Sequence, residues 1–161
     1  LERAGIKIID LLKQRSDTRS ALIAYSGSDH LVLPLTKDHG IIQTFTQALS
    51  PDIMPLEGDN IHDALMLAEK ELNAKSASII VLTDSLSSSL VKLALKEGFD
   101  KRSNVIFWQI ASSELSNEND FKSAASLVNG HYVKYARDDS DVDLVSSLID
   151  KNFKIDRKSV V

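Results

Sequence analysis

The sequence predicts a three-layer α/β sandwich with a mostly parallel central sheet. Short apolar segments rich in β-branched residues alternate with segments whose apolar residues recur at helical spacing. Residues 77–83 are mostly apolar or β-branched and do not alternate with polar residues, which is typical of a parallel strand buried on both faces. Strands that alternate with helices form a sheet covered by helices on both sides. We therefore predict a doubly wound, Rossmann-like fold with an antiparallel hairpin at one edge.

The first half of the sequence predicts one helix before that hairpin and one helix after it. A tight polar turn joins two short apolar segments, which favours an antiparallel pair of strands. Pro34 has no backbone N–H, so the second of these strands is expected at an edge of the sheet. The predicted elements are a helix over 1–15, strands over 20–25 and 30–35, and a helix over 38–49.

The second half repeats a helix–strand unit. Its strongest helical pattern places Ile61, Leu65 and Leu72 on one face, with Asn60 or Asp59 as the N-terminal cap. The other predicted elements are strands over 77–83, 104–110 and 131–135, and helices over 88–97, 121–128 and around 142–149. We expect one domain over residues 1–153 and a frayed tail over 154–161.

Composition excludes several functional classes. The 161 residues are 43% hydrophobic and 26% charged, as in an ordinary soluble globular domain. A net charge of −4 leaves no excess of positive charge for phosphate backbones, so we expect no nucleic-acid partner. The chain has no cysteine, which excludes disulfides, thiolate metal sites and cysteine nucleophiles. No apolar segment reaches the roughly 20 residues that a membrane-spanning helix needs.

A candidate site lies where the predicted strands end. Ligands of open α/β sheets bind outside the carboxyl ends of the strands, and the loops 26–29, 57–60 and 84–88 are expected there. Asp84 directly follows the apolar strand 77–83. Its carboxylate suits a hard cation such as Mg²⁺, or it caps the following helix, because aspartate is a favoured capping residue. The residues alone leave both interpretations open.

Several segments in this order resemble a von Willebrand factor type A (vWA) domain, most closely those of bacterial membrane-anchored aerotolerance (Bat)-type proteins. They are Pro34-Leu35-Thr36-Lys37-Asp38, residues 49–55, Gly58 with the Ala64-Leu65 helix, and Ile80-Val81-Leu82-Thr83-Asp84. The resemblance covers most of residues 1–83 and, more loosely, the rest. It implies a protein–protein interaction module rather than an enzyme.

The resemblance also implies a metal-ion-dependent adhesion site. The family takes ligands from a D-x-S-x-S motif after its first strand, a Thr in a second loop and an Asp in a third. Asp84 matches the third-loop Asp, Asp59 stands where the Thr is expected, and the D-x-S-x-S motif is absent. The segment 84–88 imitates that motif but has Leu86 where a Ser is required. We expect Asp84 and Asp59 to hold Mg²⁺ or Mn²⁺ weakly or not at all, and Gly58, Asn60 and Ser85 to contact a protein partner.

The family's first strand, by the same resemblance, is missing from this chain. It would lie between the strands over 21–25 and 77–83. We expect these two strands either to close up on each other or to leave a gap that another chain fills, since unpaired strand edges promote self-association.

The resemblance further implies how the parent protein works. A carboxylate of the partner would complete the coordination of the cation. The parent protein would be membrane-anchored outside the bacterial cytoplasm, in the periplasm for example, and would work with an AAA ATPase of the MoxR type. The chain itself is expected to be soluble.

The main alternative is a Mg²⁺-dependent signalling or small-ligand enzyme of receiver-like fold, with Asp84 as the phospho-acceptor. That activity needs an acidic pair after an earlier strand, and Tyr25-Ser26-Gly27 does not supply one. Motifs for nucleotide binding and for a serine nucleophile are absent from the sequence. The four histidines lack metal-ligand spacing, and Trp108 is expected in the core.

Overall fold

The computed structural model describes residues 2–50, 58–73, 77–100, 103–110 and 118–160, with side chains to residue 151. Helices and strands alternate within these ranges in the predicted order. The elements are α1 (Glu2–Lys13), β1 (Ser20–Tyr25), β2 (Asp29–Thr36), α2 (His39–Ala48), α3 (Ile61–Leu72), β3 (Ser78–Thr83), α4 (Ser88–Lys96), β4 (Asn104–Gln109), α5 (Glu118–Leu127), β5 (His131–Lys134) and α6 (Ser140–Val160).

The described strands form two separate sheets. β1 and β2 make the predicted antiparallel hairpin, with Tyr25 opposite Asp29 at its turn. β3, β4 and β5 are parallel and adjacent in that order, and Ser78 of β3 lies opposite Asn104 of β4. The α/β class and the antiparallel hairpin are therefore confirmed. Within the described part of the chain, no helix has both the length and the apolar character needed to cross a membrane.

Between β1 and β3 lies a cleft of about 1100 Å³. Among the described strands, β1 pairs only with β2, and β3 pairs only with β4. The expectation that β1 and β3 close up on each other is therefore wrong. β1 packs against α2 and α3, and β3 pairs along its length with β4. That another chain fills the gap stays a prediction.

The hydrophobic core occupies both faces of the parallel sheet. β4 is its middle strand, and all six of its residues are buried. Val105 and Phe107 pack with α3, α4 and α5 on one face, whereas Ile106 and Trp108 pack with α1 and α6 on the other. This alternation produces the three predicted layers and confirms Trp108 as a core residue.

The helix ends follow ordinary capping chemistry. Asn60 caps α3, where its side chain accepts a hydrogen bond from the Asp63 N–H at 3.4 Å. α5 begins at Glu118 rather than near residue 121, since its polar first turn includes acidic residues, which stabilise a helix N-terminus. α6 continues past residue 153 to Val160, through the segment predicted as a tail. A domain boundary at residue 153 stays a prediction.

A buried lysine joins α1 to α6. Lys7 is only 3% exposed, and its Nζ donates to Asp141 Oδ1 at 2.8 Å, to Asp139 Oδ1 at 3.0 Å and to the Ala136 carbonyl at 2.7 Å. The second oxygen of Asp141 accepts from Trp108 Nε1 at 3.0 Å. Burial lowers the pKa of Lys7, but the hydrogen bonds and charges of Asp141 and Asp139 outweigh that effect and leave the pKa raised.

We expect Asp141→Ala to destabilise the chain by about 3–5 kcal/mol, because it leaves the Lys7 ammonium buried with its best partner removed. Urea unfolding followed by circular dichroism measures this. Asp150→Ala is the matched control, since Asp150 pairs with Arg15 at 2.9 Å on the surface, where its side chain is 58% exposed. That variant is expected to lose less than about 1 kcal/mol. Equal losses in the two variants would contradict a special role for the buried pair.

The raised pKa of Lys7 also predicts a dependence on pH. The group is protonated in both folded and unfolded chains below its ordinary pKa of 10.5, so its full stabilisation is present there. As the pH rises from 10.5 through the higher pKa of the folded state, that stabilisation is lost. Urea unfolding between pH 9 and pH 12 should therefore show a steeper alkaline loss for the unmodified chain than for Lys7→Met.

Candidate functional site

The turn that follows β1 and the loop that precedes α3 meet at the carboxyl ends of the strands. The turn after β1 contacts the loop that enters α3: the Asn60 N–H donates to the Ser26 carbonyl at 2.6 Å, and Asn60 Nδ2 donates to the Gly27 carbonyl at 3.3 Å. The first part of the predicted loop 57–60, and residues 51–55 of the family-like segment, lie outside the described residues.

Gly58 permits this close approach of the two loops. Its φ is +148°, a backbone conformation that side-chain-bearing residues rarely adopt, and a Cβ on it would lie 2.9 Å from Gly27 Cα. The structure thus gives Gly58 a positioning role. Its predicted contact with a partner stays a prediction, although the residue is exposed at the surface.

Asp59 and Asp84 line the same cleft. Burial raises the pKa of Asp59 above its ordinary range, and the negative charge of Asp84 raises it further. Burial also raises the pKa of the Tyr25 phenol; a hydrogen bond with Thr83 opposes this effect, and the charges of Asp59 and Asp84 add to it. Among the described residues, neither carboxylate forms an ion pair with a lysine, arginine or histidine. The site is therefore a concentration of negative charge beside a half-buried carboxylate.

The loop after β3 exposes Asp84 rather than using it as a cap. Ser87 is the N-cap of α4, so the capping interpretation of Asp84 is wrong. The Thr83 hydroxyl donates to the Ser85 carbonyl at 2.8 Å and tightens the turn, which leaves Asp84 and Ser85 exposed. Leu86, which replaces the serine of the family motif, is 1% exposed and belongs to the core.

Four of the five predicted site residues line the cleft, and the fifth, Asn60, does not. Gly58, Asp59, Asp84 and Ser85 line it at the carboxyl ends of β1 and β3. Asn60 is held differently, because its amide accepts from the Asp63 N–H and donates to the Gly27 carbonyl and, at 2.7 Å, to Asp63 Oδ2. The side chain of Asn60 thus fixes the loop that presents Asp59.

A second acidic group was not anticipated from the sequence. Ligand atoms of His62, Asp63 and Glu97 lie within 4.8 Å of one another where α3 packs against α4. The adjacent His62 and Asp63 were visible in the sequence, but nothing there places Glu97 beside them. Asp63 already pairs with His62 at 3.2 Å and accepts from Asn60, which accounts for its contacts.

Comparison with solved structures supports the fold. The protein BatB from Bacteroides thetaiotaomicron superposes with a TM-score of 0.77 at 21% identity, over 95% of this chain and 88% of that one. An aerotolerance-related membrane protein from Bacteroides fragilis gives 0.75 at 20% identity, over 93% and 88%. Proximal thread matrix protein 1 from the mussel byssus gives 0.58 at 15% identity, over 96% of this chain and 40% of that one.

Sequence comparison identifies the family. A search of curated protein sequences gives no match. The model of the von Willebrand factor type A domain matches residues 1–87, more than half of the 161 residues, and this range includes both Asp59 and Asp84. On this match and on the shared fold, the chain belongs to the von Willebrand factor type A domain family.

Proposed function

We propose that this chain is a protein-interaction module that binds its partner at the carboxyl ends of the strands, with a divalent cation held by Asp59 and Asp84. The observation that supports this most directly is that both carboxylates line one cleft of a vWA domain and that neither forms an ion pair with a described basic side chain. Two carboxylates without a basic partner are stabilised by a bound cation, because the cation offsets their negative charges.

The cation would relieve an electrostatic cost already present in the folded chain. The pKa of Asp59 is raised first by burial and then by the negative charge of Asp84. A Mg²⁺ or Mn²⁺ ion accepts oxygen ligands and replaces repulsion between the carboxylates with attraction to a shared charge. A carboxylate from a partner protein would supply a further ligand and displace a water. Gly58 and Ser85, which line the same cleft, would contact that partner.

The ligand set departs from the family pattern, and this limits the affinity. Asp59 in place of the expected Thr adds a negative charge, while the D-x-S-x-S ligands are absent from these 161 residues. Two carboxylates provide fewer protein ligands than a typical oxygen-ligand site has. We therefore propose millimolar rather than micromolar affinity for the chain by itself.

The setting of the parent protein is proposed by similarity. One structural relative is an aerotolerance-related membrane protein, so we propose a membrane-anchored parent with this domain outside the cytoplasm, in the periplasm for example.

We propose a binding role rather than catalysis. Phosphorylation of Asp84 stays the alternative; stable labelling of the chain by acetyl phosphate and Mg²⁺, lost in Asp84→Ala, would favour it.

Thermal unfolding with and without metal tests the proposed site. If the dissociation constant is about ten times below the metal concentration used, Mn²⁺ or Mg²⁺ adds about 1.4 kcal/mol of stability. For a chain of this length that corresponds to a rise in melting temperature of roughly 3–6 °C. Asp84→Ala is expected to abolish the rise.

Asp17→Ala serves as the matched control, because Asp17 is an exposed aspartate in the turn after α1, outside the cleft. It should keep the full metal response. A rise that survives in Asp84→Ala, or no rise in the unmodified chain, would count against a cation at this site. If the rise occurs, a peptide with a free aspartate side chain should raise the melting temperature further only when Mn²⁺ is present.

The mutual repulsion of the two carboxylates makes a separate prediction. Asp84→Asn removes a negative charge that raises the pKa of Asp59, so that pKa should fall. It should stay above the ordinary value for aspartate, 3.8, because burial is the larger cause of the increase. Carboxyl ¹³C NMR titration in metal-free buffer measures it. An unchanged pKa of Asp59 would show that the two side chains do not interact.

A further inference from the structure

A groove of about 650 Å³ lies on the outer surface of the domain, between α4 and α5. The two helices pack side by side, and Val91 of α4 and Phe121 of α5 are buried beneath them in the core. Two lysines and four serines line the groove: Lys92, Lys122, Ser88, Ser89, Ser123 and Ser126. None of its lining residues belongs to the cleft between β1 and β3.

The serines leave the groove open and supply hydrogen-bonding groups, since their side chains are too short to fill it. Ser123 and Ser126 lie in the interior of α5, where serine is a weaker helix former than alanine or leucine. Stability of the helix therefore does not explain serine at these positions. The hydroxyls of Ser89, Ser123 and Ser126 form no hydrogen bond with another described residue, whereas that of Ser88 donates to Asp120 at 2.9 Å.

The charge around the groove is positive, although the whole chain has a net charge of −4. Lys122 Nζ lies 3.9 Å from Glu118 Oε2, and Lys134 pairs with the other oxygen of that carboxylate. Lys92 forms no ion pair with a described residue. With Asp120 included, three lysines face two carboxylates in this region, so positive charge is left over for a ligand.

The kind of side chain that lines the groove indicates the kind of anion. Phosphorylated segments are usually bound by arginines, whose planar guanidinium forms two parallel hydrogen bonds to a phosphate, and no arginine lines this groove. Small-molecule sites enclose most of their ligand, whereas Lys92 and Lys122 are both exposed. A protein segment with several carboxylates matches these features better than either of those ligands.

From these observations we propose that the groove between α4 and α5 binds an acidic segment of a partner protein. Its carboxylates pair with Lys92 and Lys122 and accept hydrogen bonds from the serine hydroxyls. The two lysines lie on different helices, so the segment crosses the groove and has at least two acidic residues. The inference does not rest on the proposed cation site, because it requires neither a metal ion nor a residue of the cleft.

Nuclear magnetic resonance on the ¹⁵N-labelled whole chain tests the inference. The probe is a capped peptide of six glutamates, added in metal-free buffer of low ionic strength so that no cation can link it to Asp59 or Asp84. We expect the backbone amide signals of residues 88–92 and 122–126 to shift, and those of β2 to stay unchanged. Salt at about 0.5 M should raise the dissociation constant at least fivefold, because it screens exposed charges.

Substitution of the lysines should weaken binding without affecting the fold, since both side chains are exposed. Lys92→Gln and Lys122→Gln are each expected to raise the dissociation constant about two- to fivefold, as the loss of one exposed ion pair does. The double variant should raise it about tenfold. Lys96→Gln is the matched control, because Lys96 is an exposed lysine of α4 that does not line the groove, and its effect should stay below twofold.

Three results would overturn the inference. Equal shifts of the same signals with a peptide of six glutamines would show that charge does not drive binding. Inorganic phosphate that binds the groove as tightly as the glutamate peptide would identify a general oxyanion site. Absence of any shift, or an unchanged dissociation constant in the double variant, would exclude an acidic segment here. The metal response lost in Asp84→Ala is measured separately, so failure of either proposal leaves the other standing.

Discussion

The ion pair between Lys7 and Asp141 holds the helix that covers the cleft. α1 packs on the parallel sheet through Ala4 and Leu11, and it also contacts α2 and α6. A buried ammonium with three acceptors, one of them shared with the Trp108 indole, is directional in a way that apolar contacts are not. It fixes both the position of α1 along α6 and the rotation of α1 about its own axis.

The candidate site lies at one end of the space that these helices cover. α1 lies on one face of the sheet and α3 on the other, and apolar residues of both line the space between β1 and β3. At the carboxyl end of the same space, the contact between Gly58 and Gly27 and the hydrogen bonds of Asn60 set the position of Asp59 relative to Asp84. One cleft thus has an apolar interior and an acidic mouth.

Local chemistry made much of this predictable. The apolar, β-branched residues predicted the strands, and Asn60 predicted the cap of α3. The rule that ligands bind where parallel strands end predicted that the loops of Asp59 and Asp84 lie at one edge of the sheet. The role of Lys7 could not be predicted from the sequence, because lysine is seldom buried and its partner Asp141 lies 134 positions away. The nearness of Glu97 to His62 depends on how α3 packs on α4. The separation of β1 from β3 depends on tertiary contacts that hold each strand in place.

The hairpin and the parallel sheet also differ in how much of the core depends on each of them. Among the described residues, no backbone hydrogen bond joins the β1–β2 hairpin to the parallel sheet. The hairpin can therefore open without breaking any of the ladder between β3, β4 and β5, whereas loss of that ladder removes the core on both of its faces. Partial opening in such a protein begins at the element with the fewest connections. The β1–β2 hairpin is thus the element expected to open first.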